Sequence, residues 1–125
     1  MTLDQLKHLN EKFQLKAAEL PNLLPIGSLT EYSSVLIRRS RRLEKIFNRL
    51  LMADGEGALS GAMSAAEHEM DEIIYLLDRL DIANRKKKYV PITEFVKFGF
   101  EMLSFFSMSC DQVLEKRMRQ NSFDE

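Results

Sequence analysis

A single cysteine, Cys110, is all the chain has, so an internal disulfide and a thiolate zinc site are both excluded. There are only two histidines, His8 and His68. Di-metal carboxylate bundles place a Glu-x-x-His pair on each of two helices, and no helix here carries that spacing. In "EHEMDE" His68 is followed by Asp71 and Glu72, which reads as a solvated acidic helix face rather than a metal site. The Gly-x-Gly-x-x-Gly and Walker patterns are missing; "DGEG" lacks the Lys-Ser/Thr that a phosphate cradle needs. Cys110 lies in an apolar stretch with neither histidine near it in sequence, which points to an inert thiol. No catalytic residue, metal or cofactor is expected.

Long apolar runs are also lacking. The most apolar stretch, residues 95 to 110, is interrupted by Lys97 and Glu101 and is too short to span a bilayer. The start, "MTLDQLKHLNEKF", is too charged for the apolar core of a signal peptide. A cytoplasmic protein without a membrane partner is the expectation. With 125 residues, 45% apolar and 30% charged, the chain suits one domain, residues 1–125, with a real core.

What remains is helix. Apolar residues recur at steps of three and four, and no segment alternates as an exposed strand would. Thr2 with Gln5 forms a capping-box pattern that opens a helix over about 2–20, with a stripe Leu3, Leu6, Leu9, Phe13, Ala17, Leu20. Pro21 is expected to stop it. Ser28 with Glu31 repeats the box and opens a second helix, about 29–53, closed by "DGEG". The third, about 58–81, carries the seam Leu59, Met63, Ala66, Met70, Ile73, Leu77, Leu80, which is coiled-coil-like. Its first half holds Gly61, Ala62, Ala65 and Ala66, small enough for a neighbour's close approach. Pro91 suits the first turn of a fourth helix, about 91–119. Short connections between four helices predict an all-α, up-down-up-down antiparallel four-helix bundle.

The fourth helix is apolar on more than one face: Phe95, Val96, Phe98, Phe100, Met102, Leu103, Phe105, Phe106 and Met108. A surface helix of a monomeric bundle needs one stripe. Contiguous exposed apolar surface marks interfaces, so a homo-oligomer is expected, with Phe95, Phe98, Met102 and Phe105 at the subunit contact. The alternative is a bulky exposed face without a partner.

Charge is the other asymmetry. The net charge is −1, so no global field draws the molecule to nucleic acid. Yet residues 28–53 hold six cations and two anions, while residues 57–81 hold six anions and one cation. In "LIRRSRRLEKIFNRLL", residues 36–51, a helical turn of about 100° per residue gathers Arg38, Arg41, Arg42, Lys45 and Arg49 on one ridge. Tyr32, Leu36, Leu43, Ile46, Phe47 and Leu50 fall opposite. Arg39 falls on the core side, where a carboxylate of the third helix such as Glu67 or Asp71 is expected. A second basic group, Arg85, Lys86, Lys87 and Lys88, follows the third helix. The ridge, with or without that loop, is a candidate phosphate-contacting surface for RNA. It would position a nucleic acid without reading its sequence. The competing reading is a solvated face whose charges steer helix order.

Four segments carry a family resemblance: "IRRS" in the second helix, "ADGEG" at its end, "SAAEHEMDEIIYLLDRLDI" in the third and "VPITEFVKFGFEMLSFF" in the fourth. Over roughly residues 29–114 their order resembles a family of small bacterial four-helix bundles. That family includes proteins encoded in intervening sequences of large-subunit ribosomal RNA genes and the Avd accessory proteins of diversity-generating retroelements. The resemblance implies a ring-like homo-oligomer, often a pentamer. In the Avd branch it also implies binding to a reverse transcriptase and its RNA through basic surfaces. Avd-like chains are strongly basic, whereas this one is near neutral. Two working readings result: a non-enzymatic accessory or scaffold protein engaging RNA or a nucleic-acid-processing partner, and a protein–protein adaptor acting through the fourth helix.

Overall fold

A computed structural model describes residues 2–24 and 26–123, and the described residues form four helices and one short 3₁₀ turn, without a strand. Helix α1 spans Leu3–Leu23, α2 Leu29–Met52, α3 Glu56–Ala83 and α4 Val90–Phe123. Each helix packs against the one before and after it, and α4 closes back on α1. The result is the expected antiparallel four-helix bundle.

The apolar stripes converge on one core. Leu6, Phe13, Ala17 and Leu20 of α1 meet Leu36, Leu43, Phe47 and Leu50 of α2, and Leu59, Ala66, Ile73, Leu77 and Leu80 of α3 complete it. Two aromatic pairs fasten α4 to this core. Phe13 stacks on Phe95 with ring centroids 5.0 Å apart, and Phe47 meets Phe106 at 6.0 Å. Such pairs contribute about 0.5–1.5 kcal/mol beyond the area they bury. Gly99 permits the close seating of α4, because a Cβ there would stand 2.8 Å from Leu77 Cδ1 and 3.2 Å from Phe13 Cε2. The small residues of α3 do less: Ala62 and Ala66 are buried, but Gly61 faces open space.

Helix ends follow local chemistry with two corrections. The Thr2 box is formed, Thr2 N–H donating to Gln5 Oε1 (2.8 Å) and Gln5 N–H to Thr2 Oγ1 (3.2 Å). The Ser28–Glu31 box is not, since Ser28 has helical φ/ψ (−71°, −15°) and its side chain makes no capping bond. A cap needs an extended backbone to aim its oxygen at the first free N–H groups.

Pro21 does not stop α1, which continues to Leu23. A proline inside a helix leaves the carbonyl four residues earlier without its N–H donor, here Ala17. Ser33 of α2 supplies the missing bond, its hydroxyl donating to Ala17 O at 2.7 Å in a buried position. The break thus becomes an α1–α2 cross-link. A second link lies further along, where buried Asn10 donates through Nδ2 to Ser40 O at 2.8 Å.

The α2–α3 turn uses Gly55 at φ +87°, a region that favours glycine. Arg117 of α4 reaches back to donate to Leu51 O, one of the carbonyls that a helix end leaves free. The α3–α4 connection is organised by Asn84, only 2% exposed. Its Nδ2 donates to Tyr89 O and Thr93 Oγ1, both at 3.0 Å, and its Oδ1 accepts from Tyr89 N–H at 2.8 Å.

Replacing Ser33 by alanine leaves Ala17 O buried without a donor. A loss of about 1–3 kcal/mol is expected, read from the urea unfolding midpoint. A change below about 0.3 kcal/mol would remove Ser33 from this role.

Candidate nucleic-acid interface

Helix α2 turns its apolar stripe inward, so the opposite ridge faces out. Arg38, Arg41, Lys45 and Arg49 are exposed. From Arg38 to Arg49, eleven helical steps, the ridge is about 16 Å long. Among the described residues none of these four lies within ion-pair distance of a carboxylate.

Arg39 and Arg42 behave differently. Both reach Glu69 of α3, Arg39 Nη1 at 3.1 Å and Arg42 Nη1 at 3.3 Å from the same Oε1. The Glu69 side chain is 7% exposed, that of Arg39 19% and that of Arg42 50%. The α3 carboxylate that meets Arg39 is therefore Glu69, not Glu67 or Asp71. Two residues along a helix is a turn of about 200°, which sends Glu67 and Asp71 to the far side, where they line the α3–α4 groove. Arg42 belongs half to the ridge and half to this ion triad.

The second basic group forms the 3₁₀ turn Arg85–Lys87. Lys86 (φ 60°) and Lys87 (φ 53°) are left-handed, a conformation that costs a non-glycine residue about 1–2 kcal/mol. Lys87 Nζ pairs with Asp81 at 2.7 Å. Lys88 Nζ stands 5.4 Å from the centre of the Tyr89 ring. Arg85 and Lys86 are exposed. The antiparallel register set by Arg39–Glu69 puts this loop beside the start of α2, whereas Arg49 sits in the last turn of α2. The two basic groups do not merge within one copy.

On α4 the outward apolar set differs from the expected one. Phe95 (2% exposed) and Met102 (1%) belong to the core, because their phase on the helix is that of Phe106 rather than of the outer face. Phe98 is half-buried, with Lys16 Nζ 5.4 Å over its ring. Phe105 is 50% exposed, and the outer face is completed by Phe100 (36%) and Met108 (57%). Shallow grooves flank it, one lined by Met70, Ile74, Phe100 and Leu103, the other by His8, Leu9, Lys12 and Phe105.

Compared with protein-family models, curated proteins and solved structures, the chain matches none at a significant level. Function must therefore be argued from these surfaces. Among the described residues no three or more His, Cys, Asp or Glu side chains gather as metal donors. Among the described residues no helix is long and apolar enough to cross a membrane. Cys110 is 1% exposed, and burial, then the charge of Asp111, push its thiol up to about 12.

Sequence reasoning missed Glu69 as the triad centre, Asn84 as the loop organiser, and Phe100 and Met108 as the outward apolar residues. For Glu69 a signal existed: it shares the phase of Ile73 and Leu80, so a carboxylate there falls on the buried side and needs a cation.

Two expectations follow. Glu69→Gln should lower stability by about 2–3 kcal/mol, because two guanidiniums are left facing each other with one largely buried; urea unfolding measures it, and a neutral result would show the triad to be dispensable. At pH 8 Cys110 should be inert to a thiol reagent in the native protein and react readily once unfolded. Equal rates in both states would show an open site.

Proposed function

We propose that this protein is a non-enzymatic accessory or scaffold protein that works as a homo-oligomer and engages RNA through the α2 ridge. The observation that carries this reading is the state of the ridge charges. Arg38, Arg41, Lys45 and Arg49 are exposed and none stands within ion-pair distance of a carboxylate among the described residues, Arg41 acting on Glu44 only through its charge at longer range. Charges that only steered helix order would be expected to face α3, as Arg39 and Arg42 do. Phosphate is the ligand chemistry that a row of lysine and arginine fits. Such contacts position without reading bases, which suits an accessory protein. The resemblance to the Avd-like bundles supplies the class of macromolecular partner, a nucleic-acid-processing enzyme such as a reverse transcriptase.

A second reading, a protein–protein adaptor, is favoured by α4. Phe100, Phe105 and Met108 are one-third to more than one-half exposed on a single outer face. That face would serve either as the homo-oligomer contact or as the seat of another protein.

Arg38→Glu with Arg49→Glu tests the ridge without touching the Glu69 triad. Binding of a labelled RNA, measured by anisotropy across a salt series, should weaken more than about tenfold, and the salt slope should flatten by about one to two. Unchanged affinity and slope would exclude the ridge. Light scattering on size-separated protein tests the α4 face. Phe100→Ser with Phe105→Ser should reduce the assembly to monomer, and an oligomer that persists would place the contact elsewhere.

A further inference from the structure

The chain contains three tyrosines and no tryptophan, and each tyrosine touches a cation at the same end of the bundle. Arg79 of α3 holds its guanidinium 5.6 Å from the centre of the Tyr75 ring. Tyr32, near the start of α2, lies close enough to the same guanidinium that it and Tyr75 raise the pKa of Arg79 above the ordinary arginine value. Tyr89 carries Lys88. Tyr75 remains 57% exposed, so the flat Arg79 guanidinium lies against an aromatic ring open to solvent.

Its place in the fold gives this cluster meaning. Tyr32 precedes Arg39 by seven residues, two helical turns on the same side of α2. Arg79 lies one turn before the end of α3 at Ala83, after which the basic turn Arg85–Lys87 begins. Along the bundle axis the cluster therefore occupies the gap between the basic loop and the α2 ridge. Of the six carboxylates in residues 57–81, Glu69 is engaged by two arginines, Asp81 by Lys87, and Glu67 and Asp71 line the α4 side, while Asp78 adjoins Arg79 and Glu72 lies three residues before Tyr75.

Rings and guanidinium planes interleaved with cations are the chemistry that recognises unstacked bases. A duplex keeps its bases stacked and would present only phosphates here. We propose that Tyr75 and Arg79 form a stacking station for an unpaired base of single-stranded RNA, at a level of the bundle between the basic loop and the α2 ridge. This rests on the RNA reading above and narrows it to single strands.

The test uses the full chain, a labelled 12-nucleotide single-stranded RNA and the corresponding duplex. Tyr75→Ala and Arg79→Lys should each weaken single-strand binding about five- to tenfold, within the range for one stacked base. The salt slope and duplex binding should stay unchanged, because stacking rather than charge is lost. Tyr75→Phe should keep the affinity. With no tryptophan present, intrinsic tyrosine emission should fall on single-strand binding in the wild type and fall less in Tyr75→Phe. A thermal melt checks that the variants remain folded, as expected for so exposed a ring.

Single-strand binding that Tyr75→Ala leaves unchanged, while Arg38→Glu with Arg49→Glu abolishes it, would overturn the station and spare the ridge. Equal losses for single strand and duplex would make the cluster a plain charge and overturn the stacking. A wild type that binds neither RNA at low salt would overturn both readings.

Discussion

Glu69 is the carboxylate on which the arrangement of charges depends. A nearly buried carboxylate between α2 and α3 requires cations, and Arg39 and Arg42 reach it from successive turns of α2. That draws Arg39 largely and Arg42 partly out of solvent and fixes the register of the helix pair. Everything outward on α2 is then what remains, a row of cations turned away from the bundle. The same register sets Tyr32 opposite Arg79 and brings the basic turn after α3 beside the start of α2.

Helix α2 is thus tied on both sides by polar links laid across an apolar core. Towards α1 the links are Ser33 to Ala17 O and Asn10 to Ser40 O. The first exists because Pro21 withholds a hydrogen bond inside α1. A group that would weaken an isolated helix becomes a point of specificity when a neighbouring hydroxyl answers it. Apolar packing alone tolerates sliding by a turn, whereas a buried polar pair out of register leaves its members unsatisfied. Helix α4 is held instead by aromatic contact and by the close approach at Gly99.

The surfaces of the bundle divide accordingly. One side, along α2 and the neighbouring lip of α3, carries cations and tyrosines. The outer side of α4 carries phenylalanine and methionine, with acidic residues on one flank. An assembly through α4 would leave the cationic side open on every copy. The two readings of function therefore describe different faces and are compatible within one molecule.

The sequence by itself determined the number of helices, their order, the core stripes of the first three and most of the outward row on α2. These follow from periodicity, which depends only on residues three and four apart. The capping box at Thr2 was equally local and legible. What only the tertiary structure decided are the facts that depend on a second helix. Pro21 could not be read as harmless without Ser33, twelve residues away on another helix. The Ser28 box failed because the chain enters α2 already coiled. The partner of Arg39 was placed on the correct helix but two residues off, and a helix turns that error through more than half a circle. Phe95 and Met102 were indistinguishable in sequence from Phe100 and Met108, since a helix apolar on several sides has no face until its neighbours choose one. The tyrosine–arginine cluster likewise joins residues more than forty apart, which only the antiparallel register brings together.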